Sequence, residues 1–422
     1  MSAGTEQPLG QPTAQETGQP SGPLNGIRVV EVAAWAFVPS SAAVLSDWGA
    51  DVIKIEPTGF GDPIRGLQAA GGAPKGAPQT NFMVEVANRG KRSVALDLAT
   101  PGGREALLTL VATADVFMTS FLPATRKKLG IDVDDIRAVN PTIVYARGSG
   151  WGVRGDEATA GGFDSAAYTG RGGVANAVTL PGRHPAPQRP AFGDIMSGLT
   201  LAGGIAAALV GRARTGRGEV VDVSLLGTAV WHLAPDIAAG ALYEGFERPS
   251  YAVGEYPNPV SGAYRTADER YLTLALIDSQ RHWPDFCRRL GRADLIDDPR
   301  FADMAARKEN RVACCEQLAA AFASRTLAEW SSALDGFEGV WAPNANPDEV
   351  RHDPQVVANG YVQQVELADG PFTNVTSPVQ FGENPARLRP APQHGADTDE
   401  VLLASGYDMD RLLAMKIAGE VL

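Results

Sequence analysis

The sequence of 422 residues is poor in cysteine and histidine, with three and five of them. Cys287, Cys314 and Cys315 are too few for a disulfide framework, and an adjacent pair without a second pair lacks the spacing of a zinc site. The histidines are scattered, and none shares an i, i+4 spacing with another ligand type, so the sequence predicts no metal site. These counts favour a reducing compartment, and we expect a cytoplasmic location.

Long apolar runs and an excess of positive charge are also missing. No stretch approaches the roughly 20 uninterrupted apolar residues that cross a bilayer, and we expect no membrane partner. The formal net charge is −12, which opposes a broad binding surface for nucleic acid or anionic membrane. Residues 1–22 are rich in Gln, Gly, Pro, Ser and Thr, which predicts a disordered tail. The remaining chain is long enough for two globular domains.

The first part of the chain alternates strand and helix patterns. The runs GIRVVEVA (26–33) and DVIKIEP (51–57) flank a helical stretch, and the alternation recurs up to PTIVYARGSG (141–150). This order predicts βαβ units and a parallel sheet with right-handed crossovers. The turn after the first strand holds no glycine, so the G-x-G-x-x-G fingerprint is missing and a nicotinamide dehydrogenase is disfavoured.

Two domains are predicted. We expect a large Rossmann-like α/β domain with a parallel sheet over 23–228 and a smaller α+β domain over 229–342. The large domain is then expected to resume over 343–422. The smaller domain is indicated by a hairpin-like pair at 262–276 that is followed by helical patterns.

Asp194 follows Gly193 at the start of a long helix pattern of small residues (195–213). One interpretation is an N-cap, whose side chain accepts a hydrogen bond from a first-turn N–H. The other is a nucleophile, kept ionised by the helix N-terminus and surrounded by backbone N–H groups that stabilise an oxyanion. No G-x-S-x-G elbow occurs, so a hydrolase triad is disfavoured.

Several cations lie near the ends of the predicted strands. Arg65 is in a Gly-rich loop after the second strand, Lys91 and Arg92 lie just ahead of the third, and Lys128 is on a short helix pattern. Cations in such places suit phosphate groups, and solvated surface charge is the alternative for each of them. Together they indicate a phosphorylated ligand.

Longer blocks of the sequence carry a family resemblance. They are PLNGIRVVEVAAWAFVPSSAAVLSDWGADVIKIEPTGFGDPIR (23–65), NRGKRSVALDL (88–98), PTIVYARGSGWG (141–152), GGFDSAAYTGRGG (161–173), FGDIMSGLTLAGGIAAALVGRARTGRGEVVDVSLL (192–226), NPVSGAYRTADERYLTLAL (258–276) and DDPRF (297–301). By their order and spacing the chain resembles the class III CoA-transferases, which include formyl-CoA transferase, carnitine CoA-transferase and the 2-methylacyl-CoA racemases. The likeness covers nearly all of 23–420.

The resemblance implies an acyl-CoA:carboxylate CoA-transferase that forms an interlocked homodimer. Asp194 would be the catalytic nucleophile, which forms a mixed anhydride and then an aspartyl-CoA thioester before a carboxylic acid accepts the CoA. CoA and acyl-CoA would be substrates, and no metal or redox cofactor would take part. Arg65, Lys91, Arg92 and, less strongly, Lys128 would contact the CoA phosphates.

Two alternatives stay open. The racemases carry a His-Asp pair in a GHD segment, whereas this chain reads GGFD, with Phe163 in the place of the histidine and Asp164 retained. Because Phe163 cannot move a proton, transfer is favoured over racemisation. A non-catalytic acyl-CoA-binding protein is the other alternative, which the intact Asp194 disfavours. Trp35 and Phe37 follow the first strand where several relatives have a polar residue, so we expect an acid larger or more apolar than oxalate.

Overall fold

A six-stranded parallel sheet forms the centre of the fold. The computed structural model describes residues 22–67, 80–180, 182–244, 254 and 256–422, so the predicted tail lies almost wholly outside the described residues. The strands are β1 (Arg28–Val32), β2 (Asp51–Glu56), β3 (Arg92–Ala95), β4 (Val116–Thr119), β5 (Val144–Ser149) and β6 (Val220–Ser224). Their order is β3-β2-β1-β4-β5-β6, with every neighbouring pair parallel. The predicted α/β layer is confirmed.

The strand order reverses between β1 and β4. Open α/β sheets bind ligands beside such a point, outside the carboxyl ends of the strands. The two loops that leave these ends are joined, because Ala34 N donates to Ser120 Oγ at 3.0 Å. The sheet therefore positions a site next to the loop that follows β1.

Helices connect and cover these strands. They are α1 (Phe37–Asp47), α2 (Phe82–Asn88), α3 (Pro101–Ala112), α4 (Pro123–Leu129), α5 (Val133–Val139), α6 (Val174–Ala177), α7 (Phe192–Thr215) and α8 (Leu225–His232). Their ends follow local chemistry: Thr100 accepts from Gly103 N at the start of α3, and Gly216, at φ 70°, ends α7 in the left-handed conformation. A 3₁₀ turn at Pro63–Gly66 and a π-helical segment at Ser165–Arg171 interrupt the regular pattern.

The long helix α7 packs along α1. Gly198 permits the close approach, because a Cβ at this position would stand 2.1 Å from Ser40 Oγ. Leu201, Ala202 and Ile205 of α7 are buried in the same core. By length and composition alone α7 would also fit a membrane span. One such helix is weak evidence for a span, and its buried face is that of a core helix.

The chain divides into two compact units. The first contains the described residues up to Ala175, Pro187–Leu233 and Val357–Leu422, and the second contains Asn176–Ala186 and Ala234–Val356. Both boundaries come later than the expected ones at 228/229 and 342/343. The last strand of the second unit explains part of the difference, because it runs past residue 342 and Pro343 pairs with Leu272 across a sheet.

The second unit is built on a small antiparallel sheet. It contains β7 (Ser261–Arg265), β8 (Tyr271–Ala275), β9 (Trp341–Pro343), α9 (Ala234–Leu242), α10 (Ser279–Arg289), α11 (Met304–Glu309), α12 (Arg311–Phe322), α13 (Leu327–Ala333) and α14 (Pro347–Val350), with a 3₁₀ turn at Ala293–Leu295. The three cysteines are free and buried here. Burial raises the pKa of Cys287 and of Cys314 to about 12, so these thiols stay protonated and unreactive.

The end of the chain returns to the first unit at Val357, within α15 (Pro354–Ala358). It contains β10 (Val362–Leu367), β11 (Gly370–Val375), α16 (Thr398–Ala404) and α17 (Met409–Ile417). Asp397 Oδ2 accepts from Ser93 N at 2.7 Å, and Thr398 Oγ1 accepts from Ala95 N at 3.0 Å. These bonds satisfy the outer edge of β3, which would otherwise offer unpaired amides.

A buried ion cluster, formed by Glu31, Lys54, Asp62 and Lys91, lies near the carboxyl ends of β1 and β2. Lys54 Nζ is 2.9 Å from Glu31 Oε1 and 2.8 Å from Asp62 Oδ2, and Lys91 Nζ is 2.6 Å from Glu31 Oε2. Burial opposes the charge on both lysines. For Lys54 the surrounding carboxylates outweigh burial and raise the pKa, whereas for Lys91 burial prevails over Glu31 and lowers the pKa to about 7.

We expect Glu31→Gln to lower the free energy of unfolding by about 3–5 kcal/mol, because it removes the carboxylate that two buried lysines share. Urea unfolding at pH 7 measures the change. The matched control is Glu105→Gln, which removes a carboxylate paired with Arg411 on the exposed surface and should cost less than about 1 kcal/mol. Equal losses in the two variants would show that the cluster adds nothing beyond an ordinary surface pair.

Candidate active site

Asp194 lies in the first turn of α7 but does not cap the helix. The N-cap is Ala191, which has φ 55° and makes no side-chain capping bond. Asp164 caps the helix instead, since its Oδ2 accepts from Gly193 N at 2.8 Å and from Asp194 N at 3.2 Å. The N-cap interpretation of Asp194 is therefore wrong. The same bonds correct the oxyanion expectation for these two amides, which already serve Asp164.

The carboxyl group of Asp194 is harder to ionise than expected. Burial, followed by the negative charge of Asp164, raises the pKa of Asp194 to about 7. A helix N-terminus favours a nearby anion by about 0.3–1 kcal/mol, which is too little to offset these two effects. The expectation that the helix keeps Asp194 firmly ionised is wrong, and near pH 7 both protonation states are populated.

Gly193 is required by the packing around the first turn of α7. A Cβ at Gly193 would stand 2.3 Å from Tyr168 Cγ and 2.7 Å from Asp164 Oδ1. Tyr168 is fully buried, and its hydroxyl makes a 2.7 Å hydrogen bond with His232 Nδ1. The backbone next to Asp194 is thus fixed by Asp164 on one side and by the Tyr168 ring on another.

The buried ion cluster holds the loop that follows β1. Lys54 Nζ donates to Ala33 O at 3.0 Å, and Trp35 N donates to Asp62 Oδ1 at 3.0 Å. Two charged side chains therefore fix the loop backbone at positions two residues apart. Because the loop leaves β1 beside the reversal of strand order, these bonds fix the backbone at the place where open α/β sheets bind ligands.

Lys91 also acts through this cluster. Its Nζ donates to Pro39 O and to Asn88 Oδ1, both at 2.9 Å, and its side chain is 0% exposed. A phosphate cannot reach this amine without opening the cluster, so the geometry gives no support to the predicted phosphate contact. Pro39 precedes Ser40, whose Oγ lies 3.5 Å from Asp194 O, so Lys91 supports the helix that borders the site.

Arg92 and Arg65 lie at opposite edges of the sheet. Arg92 begins β3, and its Nη2 contacts both Asp51 oxygens at 2.7 and 2.6 Å at the amino edge. Arg65 follows β2 at the carboxyl edge, where Nε and Nη2 donate to the two oxygens of Glu56 at 2.7 and 2.6 Å. The structure therefore does not gather the predicted cations into one phosphate site.

Lys128 is exposed on α4 and makes no hydrogen bond or ion pair within the described part of the chain. A phosphate contact at Lys128 stays a prediction. Arg65 lines a pocket of about 520 Å³ in the first unit, and Glu85, Glu366 and Asp369 line the same pocket. These three carboxylates oppose a phosphate in that pocket.

No group of His, Cys, Asp and Glu in the described ranges is arranged to hold a metal ion.

Sequence reasoning missed the part played by four residues at or near this site. The only sign of a role for Asp164 was its presence in the GGFD segment. Its contact with Asp194 could not be predicted, because 30 positions separate the two residues in the chain. Nothing in the local sequence marked Tyr168 or His232. Glu31 was missed as well, since a glutamate in a strand pattern reads as solvated until the topology buries it.

Comparison with known proteins places this geometry in a family. The sequence pattern of CoA-transferase family III matches residues 24–398. The (R)-2-hydroxy-4-methylpentanoate CoA-transferase of Clostridioides difficile is 33% identical over 92% of this chain and 97% of its own length. The cinnamoyl-CoA:phenyllactate CoA-transferase of Clostridium sporogenes is 29% identical over 91% of this chain and 93% of its own length. A crystal structure of a CAIB/BAIF family protein from Brucella suis superimposes with a TM-score of 0.79 and 29% identity, covering 91% of this chain and 99% of that one.

The raised pKa of Asp194 predicts a pH-dependent effect of Asp194→Asn on stability. The unfolded chain releases this proton near its ordinary pKa of 3.8 and the folded chain near 7. Between these values the folded state binds more protons, so this group lowers stability as pH rises, and the loss is complete above about pH 7. The variant cannot ionise and should be about 1–4 kcal/mol more stable than the parent at pH 8.

Urea unfolding at pH 5 and pH 8 measures this effect, and the difference should shrink at pH 5. Asp156→Asn is the matched control, because it makes the same substitution at an exposed loop position, and its effect at each pH is the baseline for Asp194→Asn. A destabilised Asp194→Asn protein at pH 8 would mean that the carboxylate is stabilised in the folded state.

Proposed function

Since the chain belongs to CoA-transferase family III, we propose that it moves CoA from an acyl-CoA donor to a carboxylic acid through covalent intermediates on Asp194. The enzyme is a CoA-transferase, as its family and its relatives are. The state of the Asp194 carboxyl group carries the proposal. Asp164 caps the helix in its place, so the Asp194 carboxyl group does not serve as a cap, and its pKa is raised to about 7.

The proposed reaction has two matched halves. The Asp194 carboxylate attacks the thioester carbonyl carbon of the donor, the C–S bond breaks, and a mixed anhydride and CoA thiolate form. The thiolate attacks the Asp194 carbonyl carbon, which releases the donor acid as a carboxylate and leaves an aspartyl-CoA thioester. The acceptor carboxylate repeats this sequence in reverse, so the new acyl-CoA departs and Asp194 regains its carboxylate. Splitting the transfer in this way replaces one difficult step by easier ones.

The raised pKa of Asp194 supports this role. A more basic carboxylate is a stronger nucleophile once ionised, and a pKa near 7 leaves an appreciable ionised fraction at neutral pH. Each half of the reaction consumes one carboxylate and releases another, and the CoA thiolate that forms in between is used up again, so no net proton transfer and no metal are required. Asp164 contributes by keeping the first turn of α7 in place and by its negative charge.

The CoA contacts and the acid remain part of the proposal. Arg65 and Lys128 are proposed to contact the CoA phosphates, with Lys128 favoured by its exposure and Arg65 limited by its bond to Glu56. The acid is proposed to be larger or more apolar than oxalate. Two relatives are named for 2-hydroxy-4-methylpentanoate and for phenyllactate. Both acids are larger and more apolar than oxalate, which supports this proposal. Three buried free thiols support a reducing, cytoplasmic location.

A racemase-like activity has one observation in its favour. A carboxyl group with a pKa of about 7 suits a general base that removes an α-proton. Returning the proton on the other face needs a second group, and Phe163 supplies none. Asp164, the other nearby acid, is held by two backbone amides.

We also propose a homodimer, interlocked as the family resemblance implies. Several apolar side chains on α7 and α8 are largely exposed in the single chain, and a second subunit that covered them would remove their apolar area from water. Phe192 is 50% exposed, Val210 61% and Trp231 79%. A second copy of the chain is the proposed partner for this face.

Covalent transfer predicts a label on Asp194. Purified protein is incubated with a panel of acyl-CoA donors without acceptor, treated with hydroxylamine or borohydride, and digested for peptide mass spectrometry. We expect a mass change in the wild-type peptide that contains Asp194 and none in Asp194→Asn. An unmodified peptide across the panel, with CoA binding intact, would contradict covalent transfer. Deuterium exchange at the α-carbon would then test the racemase alternative.

The dimer proposal predicts the mass in solution. Sedimentation equilibrium at micromolar protein should give twice the chain mass of 44.4 kDa. The value should hold on tenfold dilution, because interlocked chains cannot separate without unfolding. A mass of one chain at every concentration would rule the dimer out.

A further inference from the structure

Two exposed aromatic rings meet beside the acidic pair. The rings of Trp35 and Phe163 are in edge-to-face contact, with centroids 6.1 Å apart and planes at 89°. Trp35 is 41% exposed and Phe163 is 64% exposed. Phe163 directly precedes Asp164, whose Oδ2 accepts from the Asp194 amide. The two rings therefore form an apolar surface next to the proposed nucleophile.

The backbone under both rings is fixed. Trp35 has φ 70°, a left-handed conformation that is unfavourable for a bulky residue and persists only where the surroundings enforce it. The bond from its amide to Asp62 does so. The carbonyl of Phe163 accepts from Ala166 N at 3.1 Å and from Ala167 N at 2.8 Å. Both rings are thus presented to solvent by rigid backbone.

We propose that the Trp35–Phe163 pair selects the acyl group of the substrate, favouring CoA thioesters and acids that carry an aryl or branched alkyl group. This inference rests on the proposed function and adds the specificity-determining residues. When the thioester carbonyl is at Asp194, the adjoining acyl chain extends over the nearest surface, and this apolar pair is next to the acid. Covering the rings removes apolar area from water, and an aryl group adds edge or face contacts.

A small or doubly charged acid gains nothing from this surface. Its second carboxylate would approach Asp164 and an apolar ring pair. The same apolar surface thus favours apolar acyl groups and disfavours dianions such as oxalate. Specificity here comes from both effects.

The test compares binding of 3-phenylpropionyl-CoA and propionyl-CoA by isothermal titration. The Asp194→Asn background is used so that no covalent step contributes. We expect the phenyl thioester to bind at least about tenfold more tightly, and Trp35→Ala or Phe163→Ala to reduce that preference about five- to tenfold. Binding of propionyl-CoA should change less than twofold. Rates of Asp194 labelling by the two thioesters, in the Asp194-containing protein, should show the same pattern.

A second aromatic pair offers a matched control. Trp48 and Phe381 are also in edge-to-face contact, with centroids 5.8 Å apart at 89°, and Trp48 lies at the far end of α1. Phe381→Ala removes a ring of the same geometry and should leave the preference unchanged.

A preference that persists in Trp35→Ala and Phe163→Ala overturns the inference. So does a fall in the mass of either variant in solution, which would assign the rings to a subunit contact. Labelling of Asp194 at equal rates by both thioesters refutes the inference alone, whereas no labelling by any donor refutes the proposed function.

Discussion

A carboxylate shared by two buried lysines supports the wall of the site. Glu31, in β1, contacts Lys54 and Lys91, and the two amines in turn hold Ala33 O and Pro39 O. The charges do not act on substrate, because none of them is exposed. Their effect is to make the loop after β1 and the start of α1 rigid in a place where a loop would otherwise move. Burial of ions is costly, and here it coincides with a backbone that must keep its position.

The acidic pair illustrates a conflict between stability and reactivity. Two carboxyl groups lie at one helix terminus, and the favourable helix dipole is outweighed by burial and by mutual repulsion. The resulting pKa of Asp194 near 7 costs folding energy above neutral pH and provides a basic carboxylate. Asp164 causes part of that cost, yet its bonds to two amides hold the turn. Such a compromise is typical of residues whose role is chemical.

Small residues let these groups come together. Gly193 leaves room for the Tyr168 ring, and Gly198 lets α7 approach α1 at Ser40. Any side chain at either position would push α7 away from its neighbours. The glycines that surround Asp194 in the sequence therefore serve packing as well as turns, and packing places the acid beside the loop that carries Trp35.

The sequence by itself determined the alternation of strands and helices and the blocks that indicate the family. Periodicity of apolar residues is a local property, so β1 to β5 were predictable, and the motif around Asp194 marked it as a candidate. The tertiary structure decided the roles of the charges. Arg89, Lys91 and Arg92 are close in the sequence, which suggests one exposed cluster of cations. Parallel pairing of β1, β2 and β3 instead buries Lys91 against Glu31. The capping of α7 by Asp164 was equally beyond local analysis, because burial and contact between distant residues exist only once the chain has folded.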